Sequence, residues 1–362
     1  MTTLLVSLLV FLLLMELLVA GILLARRLLS PRGPFRLTIN DTREETLDES
    51  DTLMNHLYAR GVFIPSSCGG RGTCGLCRVR VEEPRQPCTP VEEDHLSPAQ
   101  RAAGFRLACQ VKVQSDLVIR VPDEILDARE REATVVSNTV VAPGITHLVL
   151  AVPDDFTFHA GQYVQLRIPD PEGAEGVFRA YSIASDPAIR GTLELAVKLV
   201  PGGLGSPWLH ARRPGDVLAF TGPYGEWRLD PDPAVGLLLV GGGVGLTPLR
   251  AILHEAAARC PDKPVHFFFG ARTGDDLFWR DTLDALAARL PRGSATFALS
   301  HEPTGSPWTG ARGFVHEAVD AAWEPEGPVQ VFLCGPPPMI DALRPVLDDR
   351  GVDPASVFTD AF

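Results

Sequence analysis

The sequence of 362 residues has no excess of basic side chains, since 33 lysines and arginines stand against 45 aspartates and glutamates, for a net charge of −12. This balance argues against nucleic acid as a partner, because phosphate binding needs a basic surface. The sequence also lacks internal repeats and long low-complexity tracts. Its hydrophobic content of 45% excludes a disordered chain and allows two or three domains, each with its own core.

A basic segment is missing in front of the first apolar run, which covers Leu4–Ala25 with Glu16 as its single charge. Without that segment, and at 22 residues, the run does not fit a cleaved signal peptide and has the length of a helix that spans a bilayer. Basic residues follow it at Arg26, Arg27, Arg32 and Arg36. By the positive-inside rule they predict a single-pass anchor of the inner membrane, with all later domains in the cytoplasm.

Glu16 is costly within such an anchor, because a carboxylate near the centre of a bilayer is poorly solvated. Two interpretations stay open from the sequence. Either the carboxyl is protonated or reaches towards the interface, or it makes a polar contact with another membrane protein.

The pattern of apolar residues predicts four segments, at 1–30, 31–126, 127–232 and 233–362, with the charged stretch Pro122–Arg131 as the first domain boundary. In the second segment, alternation predicts strands at Phe35–Asn40, Cys77–Val81 and Asp116–Val121, and a helix at Thr52–Ala59. The third segment predicts short strands, which indicate a small antiparallel β-barrel. They are Thr134–Ser137, Thr146–Val152, Tyr163–Ile168, Tyr181–Ala184 and Thr192–Leu199.

The fourth segment has a different pattern, in which apolar runs with the length of buried parallel strands alternate with helical stretches. The runs are Gly236–Val240, Val265–Phe269, Ala295–Leu299 and Val329–Leu333, and the helices include Pro248–Arg259 and Phe278–Leu290. This alternation predicts a doubly wound parallel α/β domain.

Three cysteines lie within a glycine-rich loop as Cys68-x5-Cys74-x2-Cys77, and Cys109 follows after 31 further residues. Structural disulfides are disfavoured in the cytoplasm, so metal or redox chemistry is the better expectation. The sequence has no second C-x2-C pair of the kind zinc ribbons use. The spacing is close to the plant-type [2Fe–2S] pattern, and the loop glycines would let backbone N–H groups approach the sulfurs. We therefore predict a [2Fe–2S] cluster on these four cysteines, with zinc as the alternative.

A pair of motifs in the barrel segment indicates a flavin. In Arg179-Ala180-Tyr181-Ser182 an arginine can neutralise a pyrophosphate, an aromatic ring can cover a flavin face and a serine can bond near the flavin N5. The later run Gly202–Ser206 can open a helix whose amides hold phosphate. A hairpin turn and a helix cap explain either motif alone but not the pair. The candidate cofactor-binding residues here are Arg179, Ala180, Tyr181, Ser182, Lys198, Gly203, Gly205 and Ser206.

Two further motifs indicate a nicotinamide nucleotide. The glycine turn Gly241–Pro248 follows a predicted buried strand and starts a helix, which is the dinucleotide arrangement without the strict G-x-G-x-x-G form. Cys334–Met339 follows the last predicted strand of the domain. The candidate residues are Gly241, Gly242, Gly243, Gly245, Thr247, Arg272, Cys334, Gly335, Pro336 and Met339. Because Arg272 lies beside Asp275 and Asp276, NADH is favoured over NADPH, whose 2′-phosphate needs a basic pocket.

Together these motifs resemble a ferredoxin domain fused to a ferredoxin-NADP reductase-like module. With the anchor in front, the whole chain resembles the F subunit of the sodium-translocating NADH:quinone oxidoreductases. The cysteine spacing, Ala108–Val111 and Val121–Ile125 carry that resemblance. It implies a β-grasp ferredoxin domain, a flavin-binding barrel, an NAD-binding domain, and integral membrane partner subunits.

The resemblance also implies an electron path from NADH to FAD, then to the [2Fe–2S] cluster and onward to a membrane acceptor. In that path Ser182, Cys334 and Phe362 are the expected catalytic residues, with Phe362 covering the flavin face until nicotinamide displaces it and Cys334 near the hydride path.

Two other hypotheses stay open. The barrel segment lacks an insertion between Val164 and Arg179 that the F subunit would have, and Val357–Phe362 resembles the ending of phenol hydroxylase-type reductases. These features favour a reductase that feeds an oxygenase. The second is a redox sensor without turnover, although no segment resembles an effector or a DNA-binding element. The sequence does not name the final acceptor, the partners or a pumped ion.

Overall fold

The computed structural model describes residues 10–22, 33–48, 50–84, 87–169 and 176–362. Residues 10–22 form helix α1. None of the helices in these ranges is both long enough and apolar enough to cross a membrane. The predicted anchor extends beyond what is described, since residues 1–9 and 23–30 lie outside these ranges. The chain divides into two compact units, Met1–Asp127 and Ala128–Phe362.

The first unit is built on a mixed five-stranded sheet in the order β2-β1-β5-β3-β4. Its central pair, β1 and β5, is parallel, and the other neighbours are antiparallel. The core between the sheet and α2 includes two of the cluster cysteines, Cys77 and Cys109. The elements are β1 (Phe35–Ile39), β2 (Arg43–Leu47), α2 (Leu53–Tyr58), β3 (Arg78–Glu83), α3 (Pro90–His95), α4 (Pro98–Ala102), β4 (Phe105–Leu107), β5 (Leu117–Arg120) and α5 (Asp123–Asp127).

The second unit begins with a six-stranded antiparallel sheet in the order β10-β7-β6-β11-β8-β9. The two outer strands approach each other, because the N–H of Ala184, just past β9, donates to the carbonyl of Glu194 in β10 at 2.8 Å. The sheet therefore curves into the expected barrel. Its elements are β6 (Arg131–Ala142), β7 (Ile145–Ala151), β8 (Tyr163–Ile168), β9 (Val177–Ser182), β10 (Thr192–Lys198), α6 (Gly205–His210) and β11 (Val217–Tyr224).

The rest of the second unit is a six-stranded parallel sheet in the order β15-β14-β13-β12-β16-β17. One apolar cluster packs α7 and α8 on one face, and another packs α9 and α10 on the other. The elements are β12 (Gly236–Gly242), α7 (Leu246–Arg259), β13 (Val265–Ala271), α8 (Arg280–Ala288), β14 (Gly293–Leu299), β15 (Ala311–Arg312), α9 (Val315–Ala322), β16 (Val329–Gly335), α10 (Pro337–Asp349) and β17 (Val357–Ala361).

The structure differs from the sequence expectations mainly at strand edges. The strand expected at Tyr181–Ala184 lies earlier, as β9, which ends at Ser182. Ala184 no longer bonds along β8, because its N–H donates to the Glu194 carbonyl of β10. The sequence does not predict β2, because R-E-E-T-L is the pattern of an edge strand that exposes charges rather than an alternating apolar one. Helix α8 starts at Arg280 instead of Phe278, since Trp279 is in the left-handed conformation with φ 57°.

Candidate functional site

The four predicted cluster cysteines lie together in the first unit as two pairs. The Sγ atoms of Cys68 and Cys74 are 3.4 Å apart, and those of Cys77 and Cys109 are 3.3 Å apart. Backbone bonds join the elements that carry them, because the Ala108 N–H donates to the Cys77 carbonyl at 2.7 Å. The first amides of α2 donate to the carbonyls of Val111 and Ala108, at 2.8 and 3.1 Å. The segment around Cys109 is thus held between α2 and Cys77.

The paired arrangement matches one of the two metal sites weighed from the sequence. A [2Fe–2S] cluster takes its four cysteines two to each iron. The pairs Cys68–Cys74 and Cys77–Cys109 therefore fit the two irons of such a cluster.

The thiols within each pair affect each other's pKa. The hydrogen bond with Cys74 lowers the pKa of Cys68 to about 3 against the effect of burial, and the N–H groups of Thr73 and Gly72 lower it further. The same sulfur–sulfur bond, together with burial, raises the pKa of Cys74 to about 12. In the other pair, the bond with Cys77 lowers the pKa of Cys109 to about 7. Backbone amides that favour thiolates suit metal ligation, because the thiolate is the ligand.

Glycines shape the loop between the cysteines. Gly69, Gly70, Gly72 and Gly75 have φ of 63°, 88°, 80° and 65°, where a side chain is strained. Space is also short, since a Cβ on Gly70 would lie 2.5 Å from Cε of Met54. The Gly70 N–H donates to Oγ of the buried Ser66 at 3.3 Å. The glycines therefore allow the wrapped backbone that the sequence predicts.

The first unit also contains a buried ion pair close to the cysteines in sequence, and neither of its residues is among the candidates predicted from the sequence. Arg106 donates two bonds of 2.7 Å to Glu92, which is fully buried and also accepts the Leu107 N–H at 2.9 Å. Burial opposes ionisation of Glu92, but Arg106 and backbone N–H groups lower its pKa overall. The pair joins α3 to β4, two residues before Cys109. The sequence signal for it is the capping box Thr89–Glu92, which marks the start of α3.

The two flavin motifs of the barrel lie against each other. Arg179, Ala180, Tyr181 and Ser182 form the end of β9, and α6 begins at Gly205. A Cβ on Gly205 would lie 3.1 Å from Oη of Tyr181 and 3.3 Å from Cγ of Arg179. Burial raises the pKa of Tyr181 to about 12, so its hydroxyl stays protonated. The structure therefore brings together the arginine, the aromatic ring and a helix start.

The remaining barrel candidates differ in their contacts. Ser206 Oγ accepts the Val200 N–H at 2.8 Å, and the Gly203 N–H donates to the Val200 carbonyl at 3.0 Å. Both residues thus shape the turn before α6. Lys198 is the exposed last residue of β10. Their roles in cofactor binding stay predictions.

The two nicotinamide motifs meet where the strand order of the parallel sheet reverses. β12 pairs with β16, with Gly241 opposite Cys334, and both motifs leave the carboxyl ends of these strands. A Cβ on Gly245 would lie 2.0 Å from the Cys334 carbonyl oxygen, and one on Gly242 would lie 2.8 Å from Sδ of Met339. Thr247 donates to the Val244 carbonyl at 2.6 Å and closes the turn. Ligands of doubly wound sheets bind at such a reversal point.

Cys334 and Phe362 lie at the same sheet edge. Cys334 is 1% exposed, and its pKa is raised well above the usual range by burial and by Asp360, whose carboxylate lies 4.0 Å from its Sγ. Cys334 is therefore a neutral thiol. The Phe362 N–H donates to the Gly335 carbonyl at 3.4 Å, while its side chain is exposed. Pro336 and the first turn of α10 follow directly on Gly335.

The segment after β13 has one more carboxylate beside it than the neighbouring sequence, with Asp275 and Asp276, indicates. Arg272 is exposed, and Asp276 accepts bonds of 3.0 Å from the N–H and hydroxyl of Thr273. Glu302, from the segment after β14, accepts the Gly274 N–H at 2.8 Å. Asp275 and Asp276 thus lie on the same segment as Arg272, and Glu302 bonds to that segment.

Three family models match successive parts of the chain. A 2Fe-2S iron-sulfur cluster binding domain matches residues 37–114. An oxidoreductase FAD-binding domain matches residues 132–229, and an oxidoreductase NAD-binding domain matches residues 239–344. Each match contains the motifs described above for that cofactor. The chain is therefore a flavin-dependent NAD oxidoreductase with its own iron–sulfur domain.

Curated relatives narrow this class. The F subunit of the Na(+)-translocating NADH-quinone reductase of Neisseria gonorrhoeae is 32% identical over 94% of this chain and 95% of that protein. The F subunit of the same enzyme in Pseudomonas aeruginosa is 32% identical over 95% of both chains. The chain belongs to the family of F subunits of the Na(+)-translocating NADH-quinone reductase.

Solved structures show a related group. A cytochrome P450 reductase of Amycolatopsis, GcoB, is 31% identical, covers 91% of this chain with 98% of its own, and gives a TM-score of 0.71. The ferredoxin reductase in carbazole 1,9a-dioxygenase is also 31% identical with the same coverage and a TM-score of 0.68.

These findings confirm the predicted cofactors and chemistry. The protein is an oxidoreductase that moves electrons from NADH through FAD to a [2Fe–2S] cluster. The roles of the individual residues and the exact domain bounds are not tested by them and stay predictions.

Proposed function

We propose that the protein is the NADH-oxidising component of a membrane respiratory complex and passes electrons to a quinone through integral membrane partner subunits. The full-length similarity to proteins named NADH-quinone reductase supports this proposal. The observation that carries it is helix α1. Its apolar residues from Val10 to Ile22 are 45–61% exposed around the whole helix, and a helix that is apolar on all sides needs an apolar environment.

The proposed anchor covers 1–30 and crosses the inner membrane once, with the later segments in the cytoplasm. These segments are a β-grasp ferredoxin domain at 31–126, a flavin-binding barrel at 127–232 and an NAD-binding domain at 233–362. Basic residues after the apolar run, including Arg26 and Arg27, support this orientation. Glu16 is exposed on α1, where a membrane partner could neutralise it.

The proposed residues follow the geometry of each motif. Cys68, Cys74, Cys77 and Cys109 hold the cluster. Arg179 would balance the pyrophosphate of FAD, Tyr181 would cover the ring system, and Ser182 would bond near the flavin N5. When bound, a flavin accepts an electron pair from a nicotinamide and releases electrons singly. The glycine turn at Gly241–Gly245 would receive the nucleotide pyrophosphate. Cys334 would lie near the hydride path, and Phe362 would cover the flavin face until nicotinamide displaces it.

NADH is the proposed donor over NADPH. A 2′-phosphate would bring negative charge next to Asp275 and Glu302, and the guanidinium of Arg272 does not balance them. Arg312 is directed to the carbonyls of Glu302 and Pro303, at 3.2 and 3.3 Å. We expect a higher KM for NADPH than for NADH, and Glu302→Gln should narrow the difference. Equal KM values in the unmodified protein would contradict this proposal.

The cluster assignment is tested by Cys74→Ser, with Cys88→Ser as its control because Cys88 lies outside the pattern. Cys74→Ser should remove the iron–sulfur absorbance and leave flavin reduction by NADH intact. Cys88→Ser should retain both. A complete iron–sulfur spectrum in Cys74→Ser would refute the assignment.

A second candidate function is a membrane-bound reductase that feeds an oxygenase, and the similarity to the Amycolatopsis and carbazole dioxygenase reductases favours it. Inverted membrane vesicles separate the two functions. The respiratory proposal predicts NADH oxidation with added quinone that is lost when the co-purifying membrane subunits are removed, while reduction of ferricyanide by NADH persists. Quinone-dependent oxidation that survives their removal would contradict it.

A further inference from the structure

A buried arginine links the two halves of the second unit. Arg250 lies on α7, one turn after the glycine turn, and only 9% of it is exposed. Its Nη1 donates to Oε2 of Glu194 on β10 at 2.6 Å and to the carbonyl of Ala184 at 3.3 Å. Ala184 follows Ser182 by two residues. One guanidinium thus bonds the helix that starts at the proposed pyrophosphate turn to the strand end that carries the proposed flavin residues.

The Glu194 carboxylate is held from both sides. Its Oε2 also lies 2.9 Å from Nε2 of His147 on β7. Burial opposes ionisation, but the bond with His147 and the charge of Arg250 lower the pKa of Glu194 to about 2. The Glu194 N–H donates to Oγ of Ser185 at 2.7 Å, so this residue also fixes the backbone just after Ala184.

Further contacts place the same face of α7 against the barrel. Glu255 is 7% exposed and accepts the N–H of Ala160 at 3.1 Å. His254 Nδ1 lies 3.5 Å from Oδ2 of Asp186. α7 therefore contacts the barrel at three successive points, of which Arg250 is the nearest to the glycine turn.

Arg250 also contacts the segment after β13. Its guanidinium lies 4.5 Å from the ring centroid of Trp279, and the His147 ring meets the same indole edge-on at 4.9 Å. Trp279 has φ 57°, a conformation that a bulky residue adopts only when its surroundings impose it. Trp279 ends the segment of Arg272 and Asp275, so the same cluster of side chains also fixes one end of the segment proposed to discriminate NADH from NADPH.

From this geometry we infer that Arg250 and Glu194 are positioning residues for hydride transfer, which set the placement of the nucleotide relative to the flavin. The inference rests on the proposed nucleotide and flavin residues. Hydride transfer depends on the distance between the reacting atoms, and a misplacement of about 1 Å can cost on the order of 100-fold in rate. Because the Arg250 guanidinium bonds α7 to the barrel, it limits the misplacement of the nucleotide relative to the flavin.

The test compares Arg250→Met, Glu194→Gln and the double variant in the full-length protein, with Arg292→Met as the matched control. Arg292 pairs with Glu326 at an exposed site, so its variant should behave as the unmodified protein does. In Arg250→Met, flavin reduction at saturating NADH should slow on the order of 10-fold or more. The affinity for NAD⁺, measured by calorimetry, should change far less. Glu194→Gln preserves the shape of the side chain and supplies the test if Arg250→Met does not fold.

Two further measurements separate positioning from a general loss of stability. Hydrogen exchange should increase at the amides of Ala184 and Glu194 and remain unchanged in β14. The double variant should be no slower than the slower single variant, because both substitutions break the same link. Unchanged flavin reduction, a loss of NAD⁺ affinity in proportion to the rate, or additive effects in the double variant would each overturn the inference. Failure of the unmodified protein to reduce its flavin with NADH would instead overturn the proposed function.

Discussion

At the scale of single residues, the environment of the cysteines depends on a charge pair that lies outside the motif. Glu92 and Arg106 are almost fully buried and bonded to each other twice. Removal of one partner of a buried pair leaves an uncompensated charge and typically costs about 3–5 kcal/mol. The stability of the iron–sulfur domain should therefore respond to Arg106 more than to any exposed arginine.

We predict that Arg106→Met lowers the free energy of unfolding of this domain by about 3–5 kcal/mol, measured by loss of cluster absorbance in a denaturant titration. Arg101→Met is the control, because Arg101 forms a partly exposed pair with Glu93 at 3.1 Å and such pairs contribute at most about 1 kcal/mol. Equal effects of the two substitutions would contradict the role assigned to Arg106.

The Glu92–Arg106 pair should also make the stability of the iron–sulfur domain depend on pH. The pKa of Glu92 is below its ordinary value of 4.5. The ionised Glu92 therefore contributes its full share of the free energy of unfolding above pH 4.5, and this share is lost as the pH falls through the lowered pKa. In Arg106→Met the unpaired Glu92 is costly at neutral pH, and protonation relieves that cost. Hydrogen exchange at the amides of β1 and β5 should show a difference in the free energy of unfolding between the two proteins that narrows as the pH falls towards and below about 4.5. A difference that is constant or widens would refute this account.

At the scale of elements, the sequence predicts the strands, helices and turns that a few consecutive residues are enough to identify. The cysteine spacing, the strand R-A-Y-S and the glycine turn each indicate their function within a few residues, and the apolar runs locate β12, β13, β14 and β16. Arg250 is different, since it is an arginine within a helix and nothing nearby in the sequence indicates that it bonds to β10, 56 residues earlier. The edge strand β2 and helix α3 escape prediction because their residues are charged, and only tertiary contacts fix them.

The junction of β12 with β16 gives a prediction at this scale. Gly245→Ala would place a Cβ 2.0 Å from the Cys334 carbonyl, so the glycine turn or β16 must move. We expect flavin reduction by NADH to slow on the order of 10-fold or more, as for other small misplacements of reacting groups, while cluster absorbance is unchanged. Gly327→Ala is the control, because no atom lies within 4 Å of its Cβ. Normal NADH kinetics in Gly245→Ala would contradict the proposed nucleotide site.

At the scale of the whole molecule, each unit has its own core in the residues after Gly33, and the described residues of α1 contribute to none of these cores. We therefore predict that deletion of residues 1–32 releases the protein from the membrane fraction and preserves the reduction of ferricyanide by NADH. Fractionation and the ferricyanide assay check both parts. Retention of the shortened protein in the membrane fraction would show that the anchor lies elsewhere.

Rapid mixing of the anaerobic protein with NADH tests most directly whether electrons reach the cluster through the flavin. We expect the flavin absorbance to bleach within one turnover. The reduced cluster should then appear, detected by electron paramagnetic resonance in samples frozen during the reaction. In Cys74→Ser the flavin should bleach at the same rate without the cluster signal. A cluster that is reduced before the flavin, or reduced equally in protein depleted of FAD, would contradict this order of electron transfer.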